Sequence, residues 1–256
     1  MLPSEICERL GEFLLFRYSY DMNCDLNAIG ERMLNELSIL EEAFCEHLQA
    51  ELNHCDFYSK NASHLLGEIL DFEFPSDVTK GEISKTTVLS FNYIDLEQRL
   101  SLPHGSIDFI NVHGKIDEKI IIGADGMNCL GAAGKLCFSK TFRVLNLGLL
   151  DNVNNLVYKT NNSEHLDTLY IKFYGHSLSS ADYSYFQAIF DLVNLHSSSV
   201  ELFFFYKSFS ITAKESLLFN IADLLNYYAY SAGNEYRGKN LMHRLMLEGR
   251  LHLVEL

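Results

Sequence analysis

The sequence predicts an α/β fold: a mostly parallel sheet with flanking helices, set beside an amino-terminal helical portion. Three observations carry that prediction. Before residue 80 the chain reads as helices, and from residue 86 short β-rich runs alternate with helical stretches; strands alternating with helices make a covered parallel sheet. Several runs, VELFFFY (200–206) above all, are almost continuously apolar, which suits strands buried on both faces. The chain has 256 residues and 48% hydrophobic content, enough to bury a sizeable core. The organisation expected is a single domain over 1–256, with a helical portion at 1–80 and an α/β core at 86–256.

In chain order, residues 4–18 read as a first helix. Residues 27–52 form a second, because Ile29, Met33, Leu37, Leu40, Phe44 and Leu48 recur at steps of four and three, one face of a 3.6-residue period. Asp25 or Asn27 would cap it. Leu65 to Leu70 suggests a short third helix. Residues 71–85, with Pro75 and Gly81, read as a loop. Strands follow at TTVLSF (86–91), IDFINV (107–112), KIIIGA (119–124), DTLYIKF (167–173) and VELFFFY (200–206). Helical stretches fall at about 138–157, 181–195, 213–229 and 236–248, and HLVEL at the tail reads as a last strand.

Composition removes several function classes. With 20 basic and 34 acidic residues the net charge is -14, and residues 1–80 alone hold 16 acidic and 5 basic side chains. Such a surface repels phosphate backbones, so nucleic acid is not an expected partner. The six cysteines form no CxxC pair, so neither a zinc ribbon nor a redox motif is expected. His47 and His54 lack a third ligand, so no metal is expected. No stretch reaches the ~18 uncharged apolar residues of a membrane span, and no basic n-region with an apolar h-region follows Met1. A cytoplasmic protein with reduced thiols is the expectation.

In parallel α/β sheets, ligands sit at the carboxyl ends of the strands. Asn92 follows the first strand, His113-Gly114-Lys115 the second, Gly123 the third, and Gly175-His176-Ser177 the fourth, with Asp182 just beyond. Taken singly, Asn92 is a strand-ending cap and each histidine a structural one. Together at strand ends they point to a site, since histidine titrates near neutral pH and Asn both donates and accepts. Gly131 to Lys135 is only half a P-loop, because Cys129 and Leu136 stand at two of its required positions. No G-x-S-x-G elbow occurs.

FNYIDLEQRL (91–100), INVHGK (110–115), IIIGAD (120–125), FSKTFRVLN (138–146) and YGHSLSSAD (174–182) occur in that order. The set resembles the bacteriophage abortive-infection AbiH family over about residues 86–190. The family in turn resembles, more distantly, the Rossmann-like sirtuin- or DHS-type nucleotide-binding fold. The resemblance implies an antiphage protein that hydrolyses the nicotinamide–ribose bond of NAD or a related nucleotide. It places Asn92 and His113 in catalytic roles, with His113 as general base. Gly175 and Ser177 take the nucleotide turn, and Gly114, Gly123, His176 and Asp182 are grouped with them as binding residues. His104, in another HG pair, is the rival for the catalytic histidine, but it precedes its apolar run whereas His113 follows one.

Two departures qualify what the resemblance implies. The paired CxxC zinc module of sirtuins is absent, which argues against protein deacetylation. The family also opens with an apolar strand and a G-N-G-F-D turn, whereas the segment resembling its next part, LPSEICERLGEFL, begins here at Leu2. The start is then either assigned too late or truncated, and this sequence lacks the glycine turn that cradles a pyrophosphate. The alternative expectation is therefore a non-catalytic nucleotide-sensing or protein-interaction module. Expected partners are the nucleotide and a phage-derived trigger or partner protein, with a homo-oligomer left open.

Overall fold

The computed structural model describes residues 26–72, 86–99, 107–123, 137–148, 170–208, 212–231 and 240–256. The expected helix at 4–18, the expected cap Asp25, most of the loop at 71–85, His104 and the run from Gly131 to Lys135 lie outside these residues, and the other expected cap, Asn27, lies inside the helix that begins at Leu26.

Helix α1 (Leu26–His54) runs for 29 residues. Phe44, Leu48 and Leu52, four residues apart, pack with Cys45 against Ile94, Ile116 and Ile120, as the helical period requires. One expected position differs. Leu40 is 56% exposed, and Glu41 beside it is buried. A carboxylate takes the core-facing position because Arg143 meets it there, as described below. Helix α2 (Tyr58–Leu70) starts earlier than its apolar residues suggest. Lys172 closes its carboxyl end, donating to the carbonyls of Ile69 (2.8 Å), Leu70 (3.0 Å) and Phe72 (2.9 Å). A cation there satisfies orphan carbonyls and complements the helix dipole.

Strands β1 (Thr86–Ser90) and β2 (Ile107–Asn111) pair in parallel, Thr86 opposite Ile107 and Ser90 opposite Asn111. The short helix α3 (Leu96–Arg99) lies between them in the chain. Strands β3 (Tyr170–Tyr174), β4 (Glu201–Tyr206) and β5 (Leu251–Glu255) form a second parallel sheet in the order β3-β4-β5. Helices α4 (Lys140–Asn146), α5 (Tyr183–Leu192), α6 (Ala213–Ser231) and α7 (Leu241–Leu247) complete the described elements. The mixed α/β class and the parallel pairing are as expected. The single sheet is not what is seen: among the described residues the ladders fall into these two sheets.

The strand expected at 119–124 is not a ladder strand. It makes one isolated antiparallel bridge, between Gly114 and Ile120. Its apolar residues are buried as predicted, Ile120 and Ile121 at 1% and 0% exposure. Its amides, however, go elsewhere: Ile121 N–H donates to the His113 carbonyl (2.9 Å) and Ile122 N–H to Glu41 Oε1 (2.6 Å). A side chain thus replaces the neighbouring strand. The helix expected over 138–157 ends after Asn146, where Gly148 takes a positive φ of 62°, the left-handed conformation that stops helices.

The main core lies between the second sheet and helices α5, α6 and α7. Strand β4 is buried on both sides with period two. Leu202 and Phe204 join Phe190, Leu225, Tyr228 and Leu245 on one face. Phe203 and Phe205 meet Ile69 and Phe72 on the other. Phe173 and Phe204 stack across the β3–β4 pair with ring centroids 4.5 Å apart. Each such ring contributes on the order of 3–5 kcal/mol when compared with alanine. Among the described residues no helix is long and apolar enough to cross a membrane.

Candidate functional site

The carboxyl ends of β1 and β2 are tied together by side chains. Ser90 Oγ accepts from Asn92 N–H (3.2 Å), and Asn92 Oδ1 accepts from Ile94 N–H (3.4 Å), an Asx-type turn that ends the strand. Asn111, the last residue of β2, donates both Nδ2 hydrogens back across the pair, to the carbonyls of Asn92 (2.8 Å) and Ile94 (3.1 Å). Asn92 itself is exposed. Two residues beyond Asn111, His113 is buried at 2% exposure. Gly114 then turns the chain with a φ of 81°, and a Cβ there would overlap the Lys119 carbonyl. Only glycine combines that φ with that approach.

The turn after β3 brings the second half. Gly175 has a φ of 69° and is exposed, as is Ser177. His176 Nδ1 accepts from Leu178 N–H at 2.8 Å, so the ring hydrogen sits on Nε2, which donates to Asp182 Oδ2 at 3.3 Å. That bond holds Leu178, buried and at a φ of 55°, in a conformation unfavourable to a side chain with a Cβ. A one-turn 3-10 helix, Ser180–Asp182, then presents Asp182.

Asp182 is the node. His113 Nε2 stands 2.8 Å from its Oδ1, Lys140 Nζ 2.7 Å from the same oxygen, and His176 Nε2 reaches Oδ2. Burial pushes this carboxyl up, but the hydrogen bonds from His113, His176 and Lys140, with the charge of Lys140, outweigh it and hold the carboxyl well below the usual carboxylate range. The carboxylate therefore stays ionised and fixes the His113 tautomer with its hydrogen on Nε2. His113 Nδ1 is left buried without a hydrogen-bond partner. Phe91 closes the group, its ring 5.7 Å from that of His113 and 4.6 Å from that of His176. Tyr185 packs edge-on to His113 at 5.7 Å.

Lys140 is placed by α4. Ser139 caps that helix by accepting from Phe142 N–H at 3.2 Å. Gly123 lies against the same segment: a Cβ on it would stand 2.7 Å from the Phe138 carbonyl oxygen. One turn along, Arg143 forms a two-pronged pair with Glu41 at 2.6 and 2.7 Å and donates to the Ile122 carbonyl at 2.7 Å. Both partners are buried, so each balances a charge that would otherwise be costly. Nearby, Lys115 donates to Asp95 at 2.8 Å. Burial pushes the Asp95 carboxyl up, and the bonds from Lys115 and the Gln98 amide more than offset it.

The structure thus brings together three of the expected residues, His113, His176 and Asp182. Asn92 sits at the adjoining strand end with its Oδ1 engaged in its own turn, and Gly175 and Ser177 lie on the exposed side of theirs. The lack of a side chain at Gly114 and at Gly123 admits neighbouring backbone. Sequence reasoning gave no role to Lys140, Asn111, Arg143 or Glu41. Lys140 and Arg143 stand inside the FSKTFRVLN segment, so their position was marked although their partners were not. Among the described residues no group of three His, Cys, Asp or Glu side chains could hold a metal ion.

The sequence profile of one family, bacteriophage abortive infection AbiH, matches residues 2–206. No curated protein and no solved structure matches the chain.

Proposed function

The chain belongs to the bacteriophage abortive infection AbiH family, and from that premise we propose an antiphage protein whose His113–Asp182 dyad cleaves a nucleotide. The single observation that supports the chemistry is the 2.8 Å contact between His113 Nε2 and Asp182 Oδ1, with Nδ1 left as an acceptor. An ionised carboxylate on one ring nitrogen fixes the tautomer and stabilises the imidazolium formed when the other nitrogen takes a proton. The bond proposed is the nicotinamide–ribose bond of NAD or a related nucleotide. Nδ1 removes a proton from water or from a ribose hydroxyl as that oxygen bonds to the anomeric carbon. Nicotinamide leaves with the electron pair of the broken bond. Asn92 orients the ribose or the water, and the exposed turn at Gly175 and Ser177 meets the phosphates through its amides.

The second reading is a non-catalytic nucleotide-sensing or protein-interaction module. The 2% exposure of His113 favours it, because a substrate reaches Nδ1 only after its neighbours move. One experiment separates the two. The full chain and His113→Asn are incubated with NAD while released nicotinamide is measured, with melting curves as a folding control. The catalytic reading expects release by the wild-type chain and a loss of about 10²–10⁴-fold in the variant. Equal rates in both would overturn it. Binding of ADP-ribose with no product from either chain would establish the sensing reading.

A further inference from the structure

Two buried side-chain atoms at the end of β2 have the same unmet requirement. Asn111 Oδ1 and His113 Nδ1 are both buried without a hydrogen-bond partner, and their residues are 8% and 2% exposed. Both are acceptors. Asn111 is oriented by its Nδ2 group, which gives its hydrogens to the carbonyls of Asn92 and Ile94, so Oδ1 faces away from those donors' partners. His113 directs Nε2–H at the Asp182 carboxylate, so Nδ1 carries a lone pair. A buried acceptor without a partner gives up its solvation with nothing in return, and native structures satisfy nearly all such groups. Two of them stand two residues apart at one strand end.

We propose that Asn111 Oδ1 and His113 Nδ1 form a two-acceptor binding site for a hydroxyl-bearing group. The required chemistry is an O–H donor without a large negative charge, because an anion would bring no hydrogen to either acceptor and would lie close to the ionised Asp182. Two sources supply a hydrogen to each acceptor: an internal water, with its two hydrogens, and two neighbouring hydroxyls of a sugar, one to each acceptor. The water source stands independently of the function proposed above. The sugar source rests on that reading and makes Asn111 a substrate contact of the same site. Asn111 then has two tasks, since its amide hydrogens shape the Asn92 turn while its oxygen holds the ligand. His113→Ala would remove one acceptor, and the other would remain.

The test reads the wild-type full chain directly. The protein is labelled with ¹⁵N at histidine, and the ring nitrogens of His113 are assigned by their loss in His113→Asn. Spectra are recorded without ligand and with ribose as the probe. An Nδ1 resonance at the hydrogen-bonded position of a neutral imidazole, unmoved by ribose, supports an internal water. A resonance that moves with ribose in a saturable way supports the sugar hydroxyl. A resonance at the free acceptor position in both spectra, or one showing that Nδ1 itself carries the hydrogen, overturns the site. In Asn111→Val the hydrogen-bonded position should be lost; a folded variant that keeps it would overturn the share given to Asn111. These spectra are independent of nicotinamide release, so failure of the site and failure of the proposed reaction remain distinguishable.

Discussion

His113 Nε2 lies 2.8 Å from Asp182 Oδ1, although 69 residues separate the two in the chain. The contact joins the end of the β1–β2 sheet to the turn after β3, and so links the two sheets at their carboxyl ends. Lys140 shares the same carboxylate oxygen, which makes Asp182 the charge that three separate segments have in common.

Replacing Asp182 by Asn should therefore destabilise the fold by about 3–5 kcal/mol, since Lys140 loses its buried counter-charge. Urea unfolding of the two chains measures the difference. The pH dependence has a definite sign. Asp182 titrates below the usual range when folded, so the unfolded chain binds that proton first. Its stabilisation is complete above the ordinary carboxylate value of about 4 and is lost as pH falls from there toward the folded value. The Asp182→Asn chain should show a shallower fall in that window.

Lys140→Met should act on the same window in a different way. Without the ammonium the Asp182 carboxyl moves back toward its ordinary value, because both a hydrogen bond and a favourable charge are lost. The acid limb of the stability curve then begins to level off at higher pH than in the wild type. Melting temperatures measured across pH 2–6, roughly the carboxylate range, check this. An unchanged acid limb would mean that the pair contributes little.

Gly114→Ala should cost more than a simple left-handed penalty. The φ of 81° alone costs about 1–2 kcal/mol for a residue with a Cβ. The added Cβ also displaces the Lys119 carbonyl, which accepts from Lys115 N–H at 3.1 Å. Chemical denaturation should show a loss above about 2 kcal/mol. Gly175→Ala, with a φ of 69° and nothing within 4 Å of the new Cβ, should show only the conformational part.

Glu41 and Arg143 should behave as a unit. Either Glu41→Leu or Arg143→Met leaves one buried charge unpaired and should cost roughly 3–5 kcal/mol. The double variant should cost less than the two single losses added together, because no charge is left behind. A double-mutant cycle by urea unfolding gives the coupling directly, and strict additivity would show that the pair is not coupled.

Much of the frame was legible because it depends on local rules. The 3.6-residue period marks α1, and continuous apolar runs mark β4 and the buried Ile120 and Ile121. The strand ends at Asn92, His113 and Gly175 were marked by turn chemistry, and three of the residues picked there or just beyond, His113, His176 and Asp182, do meet. What failed was also physical. KIIIGA has the composition of a strand, but composition does not say where an amide finds its acceptor, and the Ile122 amide finds Glu41. Leu40 fits the helical period better than Glu41 by hydrophobicity alone, yet Glu41 is buried because a guanidinium from α4 reaches it.

Spacing along the chain was enough for the α/β class, for the family membership carried by the ordered motifs, and for the strand-end positions of the candidate residues. The tertiary structure alone decided which charges pair: Asp182 with Lys140 and His113 across 42 and 69 residues, and Glu41 with Arg143 across 102. Those pairings depend on burial, where an unpartnered charge is expensive, and burial belongs to the folded chain and not to any local stretch of it.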